Sequence, residues 1–339
     1  MTTASLDATS LLLLYGAMAV YAISFVSFAM DLARRSSTGS VDSRVAARVL
    51  ATSSAAGATG ARSGSTTTAD RPERPRSVAP RPVASQRAPI SLRVGLSLAV
   101  VGFALHLAST VLRGIAAARV PWANMYEFSM TGTLLIMGVF LLVLLARDLR
   151  FLGTFVTGLV LILLGISTVG FRVDVVPLPP ALQSYWLVIH VFVAILATAF
   201  FALGFALSVV QLLQHSREAA AETAKSVRLR FLATLPDAVT LENLAYRLNI
   251  IGFIFWTFTL MAGAIWAERA WGRYWGWDTK EVWTFIIWVL YAGYIHARAT
   301  RGWRGSRSAW LSIIGFSAVL FNFGVVNVFF KGLHAYSGL

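Results

Sequence analysis

Eight stretches of this chain are apolar for longer than a β-strand can be, near residues 11–30, 94–114, 128–146, 151–169, 186–213, 246–266, 282–298 and 309–329. A helical run of about 20 apolar residues matches the thickness of a bilayer's hydrocarbon core. Lipid offers no partner to a free backbone amide, so each run must close its hydrogen bonds within itself as an α-helix. The expected fold is an all-α polytopic membrane protein with about eight transmembrane helices. With 57% hydrophobic and only 13% charged residues, an ordinary soluble domain does not fit. The first run lacks a basic leading segment and ends in Asp31, Arg34 and Arg35 instead of a small-residue cleavage site, so residues 1–30 are read as a first transmembrane helix.

Eight spans divide the loops into two alternating sets. The set made of residues 31–93, 147–150, 214–245 and 298–308, with Arg247 at its edge, holds 22 of the 29 Lys and Arg. Positive charge collects on the cytoplasmic side of membrane proteins, so both termini are expected outside. The net charge of +14 is thereby spread over one membrane face, which argues against nucleic acid as a partner. Residues 31–93 are basic and poor in large apolar side chains, and are expected to form a disordered cytoplasmic linker. The loop 214–243 mixes charges with good helix formers and is expected to extend a helix. No cysteine is present, so any thiol chemistry uses another protein's thiols.

The outer loop 266–283 carries five tryptophans and a tyrosine within 18 residues: Trp266, Trp271, Tyr274, Trp275, Trp277 and Trp283. A single interfacial tryptophan is ordinarily a membrane anchor. This cluster, interrupted by Gly272, Arg273, Gly276, Asp278 and Lys280, exceeds what anchoring one helix pair requires. Indoles that stack on a plane, beside cations that pair with carboxylates, suit a large flat apolar ligand with anionic edges.

Of five histidines, His190 falls about one turn below the outer end of the fifth span and His334 follows the eighth. Each alone reads as a hydrogen-bonded interfacial side chain; two neutral imidazoles across a planar macrocycle read as bis-histidine ligation of haem iron. His296 lies fourteen residues after Val282 in the seventh span, roughly 21 Å deeper. It either sits at the cytoplasmic interface beside Arg298 or belongs to a second, inner haem position. His106, in the second span, is expected to be a packed core residue, and His215 a solvated one.

Trp271-Gly-Arg-Tyr-Trp275-Gly-Trp277-Asp278-Thr-Lys-Glu281 resembles the WWD signature of haem-handling membrane proteins in cytochrome c maturation. The segments around Trp186–His190, Tyr294–Arg298 and Gly332–Tyr336 narrow the resemblance to the CcsA/ResC-type subunit of the system II cytochrome c synthetase, often labelled CcsB in actinobacteria. It covers about residue 94 to the C-terminus, the expected seven-helix assembly domain 94–339. Trp122-Ala-Asn124-Met-Tyr126-Glu127 also resembles the family's outer loop before the third span; Asn124 and Glu127 have in addition the spacing of a helix capping box. Thr279 where proline is common, Ala335 where serine is common, and the long linker depart from the family pattern.

The resemblance implies a multi-pass protein of the bacterial plasma membrane with an extracytoplasmic active face. It implies haem b as a transiently held substrate, with His190 and His334 as its axial ligands and catalytic residues. Trp271, Trp275 and Trp277 would lie against the ring, while Asp278, Arg273 and Lys280 would meet propionates or orient a histidine. His296 would serve an inner site whose second ligand comes from a CcsB/ResB-type membrane subunit. The remaining expected partners are apocytochrome c, a thioredoxin-like thiol reductant and membrane lipid. The rival readings are a system I haem carrier with the same tryptophan signature, a small-solute transporter and a noncatalytic scaffold.

Overall fold

The computed structural model describes residues 2–58, 89–178, 183–222, 230–300, 302–330 and 332–334. Among them the secondary structure is all helical: α1 (Thr3–Ala58), α2 (Ile90–Ala117), α3 (Met125–Ala146), α4 (Gly153–Gly170), α5 (Tyr185–Glu222), α6 (Ala238–Trp271), α7 (Thr279–Thr300) and α8 (Ser306–Phe321). Helix α8 continues through a π turn, Asn322–Val326, to Phe329. Seven of the eight are long and apolar enough to cross a membrane; α7 is the exception. Its apolar residues are interspersed with Trp283, Trp288, Tyr291, Tyr294, His296 and Arg298, which lower its mean hydropathy without shortening it.

Helix α1 runs to Ala58 and so enters the segment 31–93 that composition assigns to a disordered linker. The run Arg44-Val-Ala-Ala-Arg-Val-Leu-Ala51 is rich in good helix formers, which composition taken over the whole segment conceals. Residues 59–88 of that linker lie outside the described residues. The loop 214–243 begins, as expected, as an extension of α5 to Glu222.

Helices α1, α2, α3 and α4 pack together, α5 packs against α3, α6 and α8, and α7 covers α6 and α8. Without a hydrophobic force between helices in lipid, close contact relies on dispersion and hydrogen bonds. Ser10 Oγ donates to the Ser109 carbonyl at 2.8 Å and Ser109 Oγ to the Ser10 carbonyl at 2.7 Å, pinning α1 to α2. Phe201 stacks on Tyr291 with ring centroids 3.7 Å apart, joining α5 to α7.

One end of the bundle is held by charge. Asn124 caps α3 by accepting the Glu127 N–H at 2.9 Å, as the spacing predicts. The Glu127 side chain turns to donors beside the cap. It accepts from Arg113 Nε at 3.0 Å, Arg119 Nη1 at 2.5 Å and the Ala123 N–H at 3.1 Å. Arg113 also donates to Asp7 at 2.6 Å and to the Val173 carbonyl at 2.9 Å. The side chains of Arg113 and Glu127 are fully buried, so each charge depends on the other. The network ties α1, α2, α3 and the segment after α4 together.

Glu127→Gln leaves two guanidinium groups facing a neutral amide and is expected to destabilise the protein by about 3–5 kcal/mol. Asp7→Asn, which keeps the Arg113–Glu127 pair, is expected to cost less. Thermal unfolding of the three proteins in one detergent checks the order.

Candidate functional site

At the end where α5 begins and α6 and α8 finish, a cavity of about 220 Å³ opens between α3, α5, α6 and α8. One water needs roughly 10–15 Å³ by the same measure, so the space suits a sizeable ligand. His190 and His334 both line it, although 144 positions separate them in the chain. Its lower part is apolar, with Ile136, Leu163, Trp256 and Phe316 on the wall, and its upper rim is mixed, with Asn124, Lys280, Glu281, Asn322 and Asn327.

The two imidazoles share one neighbour. Trp266, buried in the last turns of α6, stacks nearly parallel to His190, with centroids 5.9 Å apart and planes at 17°. It meets His334 edge-on at 5.5 Å. Trp271 meets both Trp266, at 4.7 Å, and His334, at 4.9 Å. His190 Nδ1 lies 3.0 Å from the Thr259 carbonyl. A carbonyl only accepts, so the proton belongs on Nδ1 and the lone pair on Nε2, the tautomer a metal requires. The His190 ring also packs directly on Gly263, where a Cβ would meet ring atoms at 2.7 and 2.9 Å.

Asp278 organises the other imidazole. Its Oδ1 accepts the Lys280 N–H at 2.8 Å, capping α7, and its Oδ2 accepts the Leu333 N–H at 2.6 Å. His334 Nδ1 stands 3.5 Å from the same Oδ2. The His334 imidazole, aided by the Lys280 and Leu333 amides, holds the Asp278 carboxyl well below the usual carboxylate range despite its burial. Glu281 completes the turn: its Oε2 accepts the Gly276 N–H at 2.8 Å and the Asp278 N–H at 3.1 Å. Gly332 is needed beside this carboxylate, because a Cβ there would lie 2.6 Å from Asp278 Oδ2.

The other residues singled out in the sequence divide. Trp275 and Lys280 line the cavity, and Trp271 backs His334. Trp277 is 76% exposed, sits at φ 59°, and touches Trp275 edge-on. Such a backbone is costly for a bulky residue and marks a constrained turn. Arg273 is not on the cavity wall; its guanidinium lies across Gly276. His296 is exposed on α7, sixteen residues beyond Lys280 and roughly 24 Å along the helix, away from the cavity. His106 is fully buried against Tyr21, and His215 is exposed. Sequence reasoning missed Thr259, Gly263, Asn322 and Asn327. Only the two asparagines had a signal, as amides inside an apolar run.

Gly263→Ala is expected to displace the His190 ring and break its contact with Thr259 while the helices stay packed, since the ring is the mobile party. The imidazole should lose its Nδ1 hydrogen bond with little change in unfolding temperature. Side-chain NMR of His190, beside a thermal melt, checks this.

The same region dominates the similarity of this chain to known proteins. The family model described as Cytochrome C assembly protein matches residues 122–334. A protein of Guillardia theta named cytochrome c biogenesis protein CcsA is 35% identical over 242 residues, covering 67% of this chain and 80% of that protein. The one from Trieres chinensis is 31% identical over 272 residues, covering 73% and 87%. The one from Prochlorococcus marinus is 40% identical over 177 residues, covering 47% and 56%. The match runs from Trp122, just before α3, to His334 and so encloses every wall of the cavity, and on that match the chain belongs to the cytochrome c assembly protein family.

Proposed function

We propose that this protein acts in cytochrome c biogenesis as the haem-presenting subunit of a synthetase. It would hold haem between His190 and His334 for covalent attachment to an apocytochrome. The observation that carries this reading is the meeting of the two imidazoles on one cavity, each with Nδ1 turned to an oxygen acceptor and each in ring contact with Trp266. An imidazole so oriented offers Nε2 to iron. Trp275 on the wall and the apolar lower part of the cavity suit the faces of the macrocycle.

In this reading all eight helices cross the bacterial plasma membrane, both termini face outward, and residues 94–339 form the assembly domain. The uneven spread of Lys and Arg over the loops supports that orientation. A reduced CxxCH segment of apocytochrome c approaches at the rim beside the exposed Trp277. Each cysteine S–H adds across one haem vinyl group: a carbon–sulfur bond forms, the proton goes to the other vinyl carbon, and no net oxidation occurs. The apocytochrome histidine then replaces one of the two protein imidazoles and the product leaves. This chain has no cysteine, so a thioredoxin-like partner must keep the substrate thiols reduced. What the protein contributes is alignment of thiol and vinyl, worth up to about 7–11 kcal/mol. His296, far down α7, belongs in this scheme to an inner haem position completed by a CcsB/ResB-type subunit.

Copurified with such a subunit, the wild type is expected to show a bis-histidine haem spectrum. His190→Ala and His334→Ala should change its axial ligation, and His296→Ala should lower haem content without changing the outer spectrum. Spectra indifferent to all three substitutions would sink the haem reading. Covalent cytochrome c formed in a host without its own maturation system separates a synthetase from a carrier that only hands haem on.

A further inference from the structure

Two apical imidazoles fix the iron and the plane of a macrocycle but leave it free to turn about the axis between them. A substrate with two vinyl groups, each bound for a different cysteine, needs that rotation fixed as well. The cavity wall carries groups suited to this on the side of α7 and α8.

Lys280, in the first turn of α7, is the only lysine or arginine among the described residues lining the cavity. Its ammonium donates to Asn327 Oδ1. Asn322 also lines the cavity; it is 5% exposed and its Oδ1 is buried without a hydrogen-bond partner. Amide oxygen and nitrogen exchange places by rotation of the terminal group, so this position offers a donor as readily as an acceptor. A buried amide left without a partner costs stability, which is how a polar group kept for a ligand looks before the ligand arrives.

The two asparagines reach one wall because α8 is not regular there. Residues five apart on an α-helix point roughly 140° away from each other. Over Asn322–Val326 the helix makes a π turn, whose i to i+5 bonding brings such residues to one side, a device concentrated at functional sites. Glu281, the one acid among the described residues on the wall, has its Oε2 taken by the amides of Gly276 and Asp278.

We propose that Lys280, Asn322 and Asn327 form a carboxylate subsite that takes a propionate of the bound macrocycle and so sets its rotation in the cavity. The inference rests on the haem-presenting reading and adds to it the residues that decide which edge of the ring faces α8. Arg273, folded over Gly276, takes no part in the subsite.

The test compares haem with its dimethyl ester, which keeps iron, ring and vinyl groups and loses both carboxylates. Each is titrated into the detergent-purified full chain with its partner subunit. The wild type is expected to prefer haem at least tenfold. Lys280→Met and Asn322→Leu should erase that preference by weakening haem alone, and Lys280→Arg should keep most of it. Equal affinity of the wild type for both compounds, with spectra that depend on His190 and His334, overturns the subsite and leaves the haem reading standing. Binding of neither compound overturns the reading beneath it. Should Asn322→Leu lose both ligands through misfolding, the wild-type preference and its fate in Lys280→Met decide.

Discussion

A single buried indole sets the geometry at the cavity end of this molecule. Trp266 fills the space between the start of α5 and the segment that follows α8, and the two histidines rest on different parts of it, one on its face and one at its edge. That wedge spaces residues 190 and 334, which lie on elements far apart in the chain. The polar contacts at Thr259 and Asp278 then turn each ring without having to carry its position. Packing supplies the distance and these polar contacts supply the angle.

The bundle handles charge in two distinct ways. Around Glu127 the ions are fully desolvated and locked to one another, so they serve as struts and hold the Trp122–Asn124 wall of the cavity in place. Around Asp278 the buried carboxylate collects backbone amides from both α7 and the segment after α8. The first arrangement ties three helices and the segment after α4 together, and the second joins two segments at the rim of the cavity.

The all-helical fold was legible because a bilayer admits so few solutions to the backbone hydrogen-bonding problem, and length alone reveals each helix. The pairing of His190 with His334 was legible from their depth along the spans. Other features were invisible because they depend on contacts between helices. Nothing local marks Gly263 as the only residue small enough to sit under His190, or Thr259 as the carbonyl that turns the ring. Arg273 looked like a cavity cation because it lies within the tryptophan cluster, yet its side chain folds back on its own turn. The linker misled in the opposite way, since an average over 31–93 hid the helix-forming run near Arg44–Ala51.

The π turn in α8 carries one residue more than a regular helix of the same rise would use. The turn absorbs that residue locally, so the helix on either side of it keeps one phase. Winding the same residues as a regular α-helix would rotate everything after them by roughly 100°. Asn327 would leave the wall and the path to His334 would start from the wrong side of α8.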